Sequence, residues 1–326
     1  MAKKPLSHDL APASQTGSAS LWLRRFAWAV MVYNVLVIVW GAIVRATGSG
    51  AGCGDHWPLC NGQVVPLNPR LATVIEFTHR MMSGGTLILI VALTVLVFRG
   101  TVQRHLARAF AISALLLTLN EALLGALLVK LGLTAMSLSP WRPPMLALHL
   151  SNTLLLLATL ALTAHMLGRT HAHQRDDVAF RYRVFAIGGL ASAMVVGVTG
   201  SLAALGDTLY PSSSLRSALA ADFSTSAHWL VRLRILHPLS AFLAAAFLLW
   251  LLWHAVFVPT GAQHRRLGLW LGGLLAFQFL LGALDVLLRA PVWMQVLHLG
   301  GADAFWAVLV VLTARVVLVP ASAVSR

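Results

Sequence analysis

The sequence predicts an all-α membrane protein of eight transmembrane helices, arranged as two four-helix bundles related as parallel repeats. Three observations predict it. The chain is too apolar for a soluble globule, with 58% hydrophobic and 10% charged residues over 326 positions and a mean hydropathy of +0.80. Eight apolar runs are long enough to cross roughly 30 Å of hydrocarbon. The second four runs echo the first four.

The runs cover residues 22–44, 72–98, 108–131, 143–167, 182–205, 230–257, 267–288 and 291–318. The connectors check this count, because Lys and Arg accumulate on the cytoplasmic side of a membrane protein. With the N-terminus inside and Arg80 set aside within a span, the inner segments hold 15 Lys and Arg and the outer segments 8. Both termini are therefore expected in the cytoplasm, and the protein in the plasma (inner) membrane among its lipids. The net charge of +14 is spread over connectors without forming a stripe, so it reads as an orientation signal and not as a nucleic-acid surface. Residues 1–20 are polar, rich in Ala, Ser and Pro, and carry no cleavage signal. They are expected to form a disordered cytoplasmic tail, with the first run retained as a span.

Internal repetition shapes the rest. Val44-Arg45-Ala46-Thr47-Gly48-Ser49 is echoed by Gly197-Val198-Thr199-Gly200-Ser201, and Leu123-Leu124-Gly125-Ala126-Leu127 by Leu280-Leu281-Gly282-Ala283-Leu284. His79 answers to His237, and His149-Leu150 to His298-Leu299. The halves are predicted at 21–168 and 182–320, joined by the basic cytoplasmic linker 169–181. Four spans return the chain to its starting side, so the copies share one orientation, about an axis along the membrane normal. A four-helix bundle is a usual host for a cofactor ligated from facing helices.

His79, His149, His237 and His298 each lie roughly six to eight residues inside the outer end of an even-numbered span, about 10 Å deep. Two per bundle, on different helices at one level, suit axial ligation of a flat apolar cofactor, and haem is the natural one. Zinc is the weaker fit, since it favours four ligands in a tight tetrahedron and no cluster completes one. A lone intramembrane histidine is ordinarily an interhelical hydrogen-bonding residue; four at matched depth in a repeat reverse that preference. His8, His56, His105, His165, His171, His173, His228, His254 and His264 fall in the tail, in connectors or near helix ends, and ordinary interfacial roles explain them.

Glu76 breaks the symmetry between the halves. It shares a helix face with His79, three residues on, and its counterpart in the second half is Arg234. An ionisable group inside a span is costly and usually functional, so Glu76 is the candidate for chemistry. The structural alternative is an i,i+4 ion pair with Arg80. Glu121 answers to Gln278 and is expected to make a polar interhelical contact. Asp285 and Asp303 are expected to be local hydrogen-bonding groups. Cys53 and Cys60, the only cysteines, lie in one glycine-rich outer connector and fit a disulfide on an oxidising face. Such a staple would pin the Trp57-Pro58 segment over the bundle mouth, and either a structural or a redox-active role suits the spacing.

Together these motifs resemble those of haem A synthases, membrane enzymes that finish haem A for cytochrome oxidases. The carriers are Arg45-Ala46-Thr47-Gly48-Ser49-Gly50, then Cys53 and Cys60 around Trp57-Pro58-Leu59, then Glu76-Phe77-Thr78-His79-Arg80, and His149, His237 and His298. The resemblance covers essentially all eight spans. It implies oxidation of the C8 methyl of haem O to a formyl group through hydroxylated intermediates, with water as the oxygen source. It also implies a substrate site formed by Glu76, His79 and His149, and a haem b cofactor held by His237 and His298. Partners implied in the same way are a haem O synthase and an electron acceptor, with a homo-oligomer left open. Some relatives carry a second cysteine pair in the C-terminal outer connector, whereas Asp207 to Arg232 contains none here. The rival readings are a di-haem b electron carrier linked to quinol, which needs no one-sided carboxylate, and a haem-handling transporter, which needs a polar pathway that the inner halves of the spans lack.

Overall fold

The computed structural model describes residues 20–168, 180–257 and 262–317. The expected tail up to residue 19 and the linker up to residue 179 lie outside them. Ten α-helices occupy the described residues: α1 Leu21–Ala46, α2 Leu71–Gly100, α3 Leu106–Lys130, α4 Arg142–Leu167, α5 Phe180–Leu209, α6 Leu215–Phe223, α7 Trp229–Arg232, α8 Leu236–Phe257, α9 Ala262–Leu287 and α10 Val292–Val317. Eight helical segments are long and apolar enough to cross a membrane, and they coincide with the eight runs. The protein is therefore a multi-pass helical membrane protein.

Local chemistry sets the ends. Ser20 caps α1 by accepting the Leu23 N–H at 3.3 Å, and α4 opens on Pro143 and Pro144, in the first turn where a missing donor matters least. His105 and His228 cap α3 and α7 with their ring nitrogens, so both are helix-end residues as expected. The sixth span is the irregular one: α7 leads through a single 3-10 turn, Leu233–Ile235, into α8. Pro238 accounts for the break, because it has no N–H to donate and its ring crowds the carbonyl four residues back.

The first four helices close a ring in which α1 and α3 each pack on α2 and α4. The helices α5, α8, α9 and α10 close a second ring, with α5 and α9 each packed on α8 and α10. In each ring the two histidine-bearing helices thus stand diagonally across an interior. The rings meet where α10 and α5 lie on α1 and α4. α10 is the centre of the molecule: half of its apolar window is buried, more than in any other span, and Trp306 donates to the Leu154 carbonyl at 2.8 Å. Most of the closely packed aliphatic residues lie to one side of the histidine level, with Leu205 and Leu230 on the other. Ile90, Leu93 and Val97 follow His79 in α2, Leu157 and Leu160 follow His149 in α4, Leu248 and Leu251 follow His237 in α8, and Leu309 and Leu312 follow His298 in α10.

Candidate functional site

All four histidines are only partly buried, and each leans on a glycine of the neighbouring helix. A Cβ on Gly41 would come 3.0 Å from His79 Cε1, and one on Gly200 would come 2.9 Å from His237 Cε1. Gly125 and Gly282 stand in the same relation to His149 and His298, at 4.0 and 3.4 Å. A glycine lets the imidazole lie against helix backbone, which fixes the ring plane with no side chain between. The pairing of Gly125 with Gly282 follows the Leu-Leu-Gly-Ala-Leu echo. The pairing of Gly41 with Gly200 does not follow the first echo, which set Gly48 beside Gly200. Gly48 lies beyond the end of α1 at φ +66°, about two turns away, because a short glycine-serine match carries no depth information.

The imidazoles come together in pairs. The His237 and His298 ring centroids are 6.2 Å apart, with their planes at 86°, and His79 and His149 lie within electrostatic reach of each other. Among the described residues no three His, Cys, Asp or Glu side chains converge. His237 Nδ1 lies 3.1 Å from the Val196 carbonyl, whereas His79 Nδ1 is buried without a hydrogen-bond partner.

Glu76 sits 4% exposed one turn from His79, and both of its oxygens are engaged. Oε2 accepts the Cys53 N–H at 2.9 Å; Oε1 accepts from Arg80 Nη2 at 2.6 Å and Nε at 3.2 Å. The expected i,i+4 pair with Arg80 is thus formed. Arg80 also reaches across to the connector, donating Nη1 to the His56 and Leu59 carbonyls at 2.8 and 2.6 Å. Those carbonyls bracket Trp57-Pro58. Cys53 and Cys60 are joined in a disulfide, so the stapled loop is held to α2 by Glu76, Arg80 and a Thr73 hydroxyl bonded to the Gly52 carbonyl at 2.7 Å. Gly52 is required there, since a Cβ would fall 2.4 Å from the Ala72 carbonyl oxygen.

Glu121 was expected to make only a polar interhelical contact, and it does so, accepting from Asn152 and Thr153 of α4. It also lies 3.5 Å from His149 Nδ1. Gln278 takes the same place in the second ring, its side-chain amide 3.3 Å from His298 Nδ1. The signal was present in the repeat, because both residues precede their glycine by four. Arg234, the counterpart of Glu76, is buried and pairs with Asp207 and Asp222 at 2.8 and 2.7 Å. One oxygen each of Asp285 and Asp303 is buried without a partner, so those oxygens do not make the local hydrogen bonds expected of them.

The arrangement defines a class: a helical membrane protein with two pairs of facing histidines within its spans and a stapled loop docked on the first ring. The sequence profile of the COX15-CtaA family, cytochrome oxidase assembly protein, matches residues 24–310. The chain belongs to that family. It is similar to a Thermus thermophilus protein named protoheme IX farnesyltransferase, with 42% identity over 291 residues, covering 89% of this chain and 48% of that protein. It is also similar to heme A synthases of Alkalihalophilus pseudofirmus, 34% identical over 155 residues covering 46% of this chain and 50% of the relative, and of Exiguobacterium, 39% identical over 101 residues covering 31% and 34%. The chain spans about half the length or less of these curated relatives.

Proposed function

We propose that the chain is a haem A synthase, oxidising the C8 methyl of haem O to the formyl group of haem A through hydroxylated intermediates. In this reading each ring of four helices is one copy of a repeated unit, 21–168 and 182–320, and the disulfide face is the outer one, with both termini cytoplasmic. The observation that carries it is the pairing of histidines from diagonally opposed helices, with Glu76 one turn from His79 and Glu121 3.5 Å from His149 where the second ring has Arg234 and Gln278.

The residues fit a haem. A metal ion held between two imidazoles would need ring centroids roughly 6.2 Å apart, from metal–imidazole bonds of about 2.0 Å and about 1.1 Å from each nitrogen to its ring centre. The 6.2 Å between His237 and His298 agrees with this. The Val196 carbonyl takes the Nδ1 proton of His237, which leaves Nε2 free to ligate. His237 and His298 would hold a resident haem b, and His79 and His149 the substrate haem O. When bound, haem b supplies a one-electron relay to an acceptor outside the chain.

The protein's own part is to orient the substrate and manage charge and protons. Gly41 and Gly125 seat the rings that fix the substrate, and the docked loop lies over the mouth on that side. Loss of electrons from the substrate's ring edge develops positive charge, which a buried carboxylate stabilises while accepting the proton released as oxygen from water is added. Glu76 is assigned that role. Its carboxylate has about four acceptor positions, and Cys53 and Arg80 use three. A protein named for protohaem farnesyl transfer that carries a similar segment in 48% of its length supports a haem O synthase as partner.

The test is expression with a supply of haem O, purification in detergent, and chromatography with mass analysis of the extracted pigment. Haem A or its hydroxylated precursor, lost in Glu76→Gln, is the expected result. Haem b alone, beside unmodified haem O, would instead mark a di-haem b electron carrier.

A further inference from the structure

We propose that Glu121 and Gln278 set the two haem irons at different reduction potentials, so that electrons pass from the N-terminal site to the C-terminal one. The inference rests on the haem-ligand reading above and names positioning residues, which act on the iron only through an imidazole.

The geometry on the two sides matches except in charge. Glu121 of α3 lies behind His149 of α4, with Oε1 3.5 Å from Nδ1; Gln278 of α9 lies behind His298 of α10, with its side-chain amide 3.3 Å from Nδ1. Each precedes by four residues the glycine on which that histidine rests. The carboxylate is firmly aimed. Thr153 donates to Oε1 and Asn152 to Oε2, and Asn152 is itself fixed by bonds to the Leu117 carbonyl at 2.9 Å and to Asn120 at 2.8 Å. His149, Asn152 and Thr153 occupy positions i, i+3 and i+4 of α4, so one helix face presents all three to Glu121. The Gln278 amide lies between the His298 carbonyl at 3.2 Å and the Ala302 N–H at 3.0 Å.

Iron at Nε2 leaves the imidazole proton on Nδ1. Glu121 Oε1, 3.5 Å from Nδ1, faces that proton and brings a negative charge to the ligand, which strengthens the imidazole as a donor and favours ferric iron. Gln278 is neutral, so whichever amide atom faces the ring it brings no charge to the ligand. The His149-ligated iron is therefore the more easily oxidised of the two. An electron leaving it reduces the His298-ligated iron, which then passes it to an external one-electron acceptor.

The experiment is a spectroelectrochemical titration of the purified, haem-loaded full chain, in wild type, Glu121→Gln and Gln278→Glu, with His149→Ala as a ligation control. In wild type the N-terminal haem is expected to be oxidised at the lower potential. Glu121→Gln should shift only that haem positive, and Gln278→Glu only the C-terminal haem negative, with haem content unchanged in at least one of the two variants. An altered N-terminal haem spectrum in His149→Ala, with no potential shift in Glu121→Gln or Gln278→Glu, would overturn this inference alone. An unaltered spectrum in His149→Ala would overturn the ligand reading and this inference with it.

Discussion

Gly41 lies directly against the imidazole of His79, so close that an added Cβ would stand 3.0 Å from Cε1. Gly41→Ala should therefore displace the ring, at about 1–3 kcal/mol if the helices resist. Loss or broadening of the N-terminal haem's absorption band, with the C-terminal one unchanged, is the expected result. Gly200→Ala should do the reverse, through His237. Gly84→Ala and Gly273→Ala are the controls, because nothing lies within 4 Å of either added Cβ; each should keep both bands and gain up to about 1 kcal/mol of helix propensity.

The histidines themselves should separate by ring. His237→Ala or His298→Ala is expected to alter the low-spin haem b spectrum while haem O still binds. His79→Ala or His149→Ala should reduce retention of haem O and leave haem b in place. Pyridine haemochrome analysis of each purified variant reads both quantities.

Arg80 ties Glu76 to the connector, and its removal should act on the loop before it acts on the haem. Arg80→Ala leaves a buried carboxylate with only the Cys53 N–H, a loss of about 3–5 kcal/mol for a broken buried pair. A lower thermal midpoint in detergent is expected, with protease sensitivity appearing between Gly52 and Arg70. Glu76→Gln keeps the shape and one acceptor oxygen, so it should remain folded and haem-loaded while haem A formation stops. Full activity in Glu76→Gln would leave Glu76 as a loop anchor only.

Cys53 and Cys60 close a loop with a sequence separation of 7, for which chain entropy predicts a stabilisation of about 2–3 kcal/mol. Cys53→Ser with Cys60→Ser should destabilise the fold by that amount and no more, read as a lower thermal midpoint, because Glu76, Thr73 and Arg80 still dock the loop. Retained haem A formation in the double variant would assign the pair a structural role, and its loss with haem bound would assign a redox one.

The spans were legible because hydropathy over twenty residues is a property of the chain itself: with no water to satisfy backbone groups, an apolar run of that length forms a helix. The matched depth of His79, His149, His237 and His298 was legible for the same reason, since polar groups at one depth stand out against hydrocarbon. Gly41 was not, because a glycine within an apolar run is silent until a neighbouring helix brings an imidazole against it. Glu121 was visible as an intramembrane carboxylate, yet its bearing on His149 depends on how α3 and α4 are rotated about their own axes.

The sequence by itself determined eight spans, the four histidine depths and the proximity of the two cysteines, all of which follow from local composition and spacing. Only the tertiary structure decided that histidines pair across diagonals, that α10 is the shared centre, and that Glu76 and Arg80 jointly hold the outer loop. The physical reason is that these relations depend on which helix faces meet. That is set by packing between residues distant in the chain, and lipid-facing and interior positions here are nearly equally apolar.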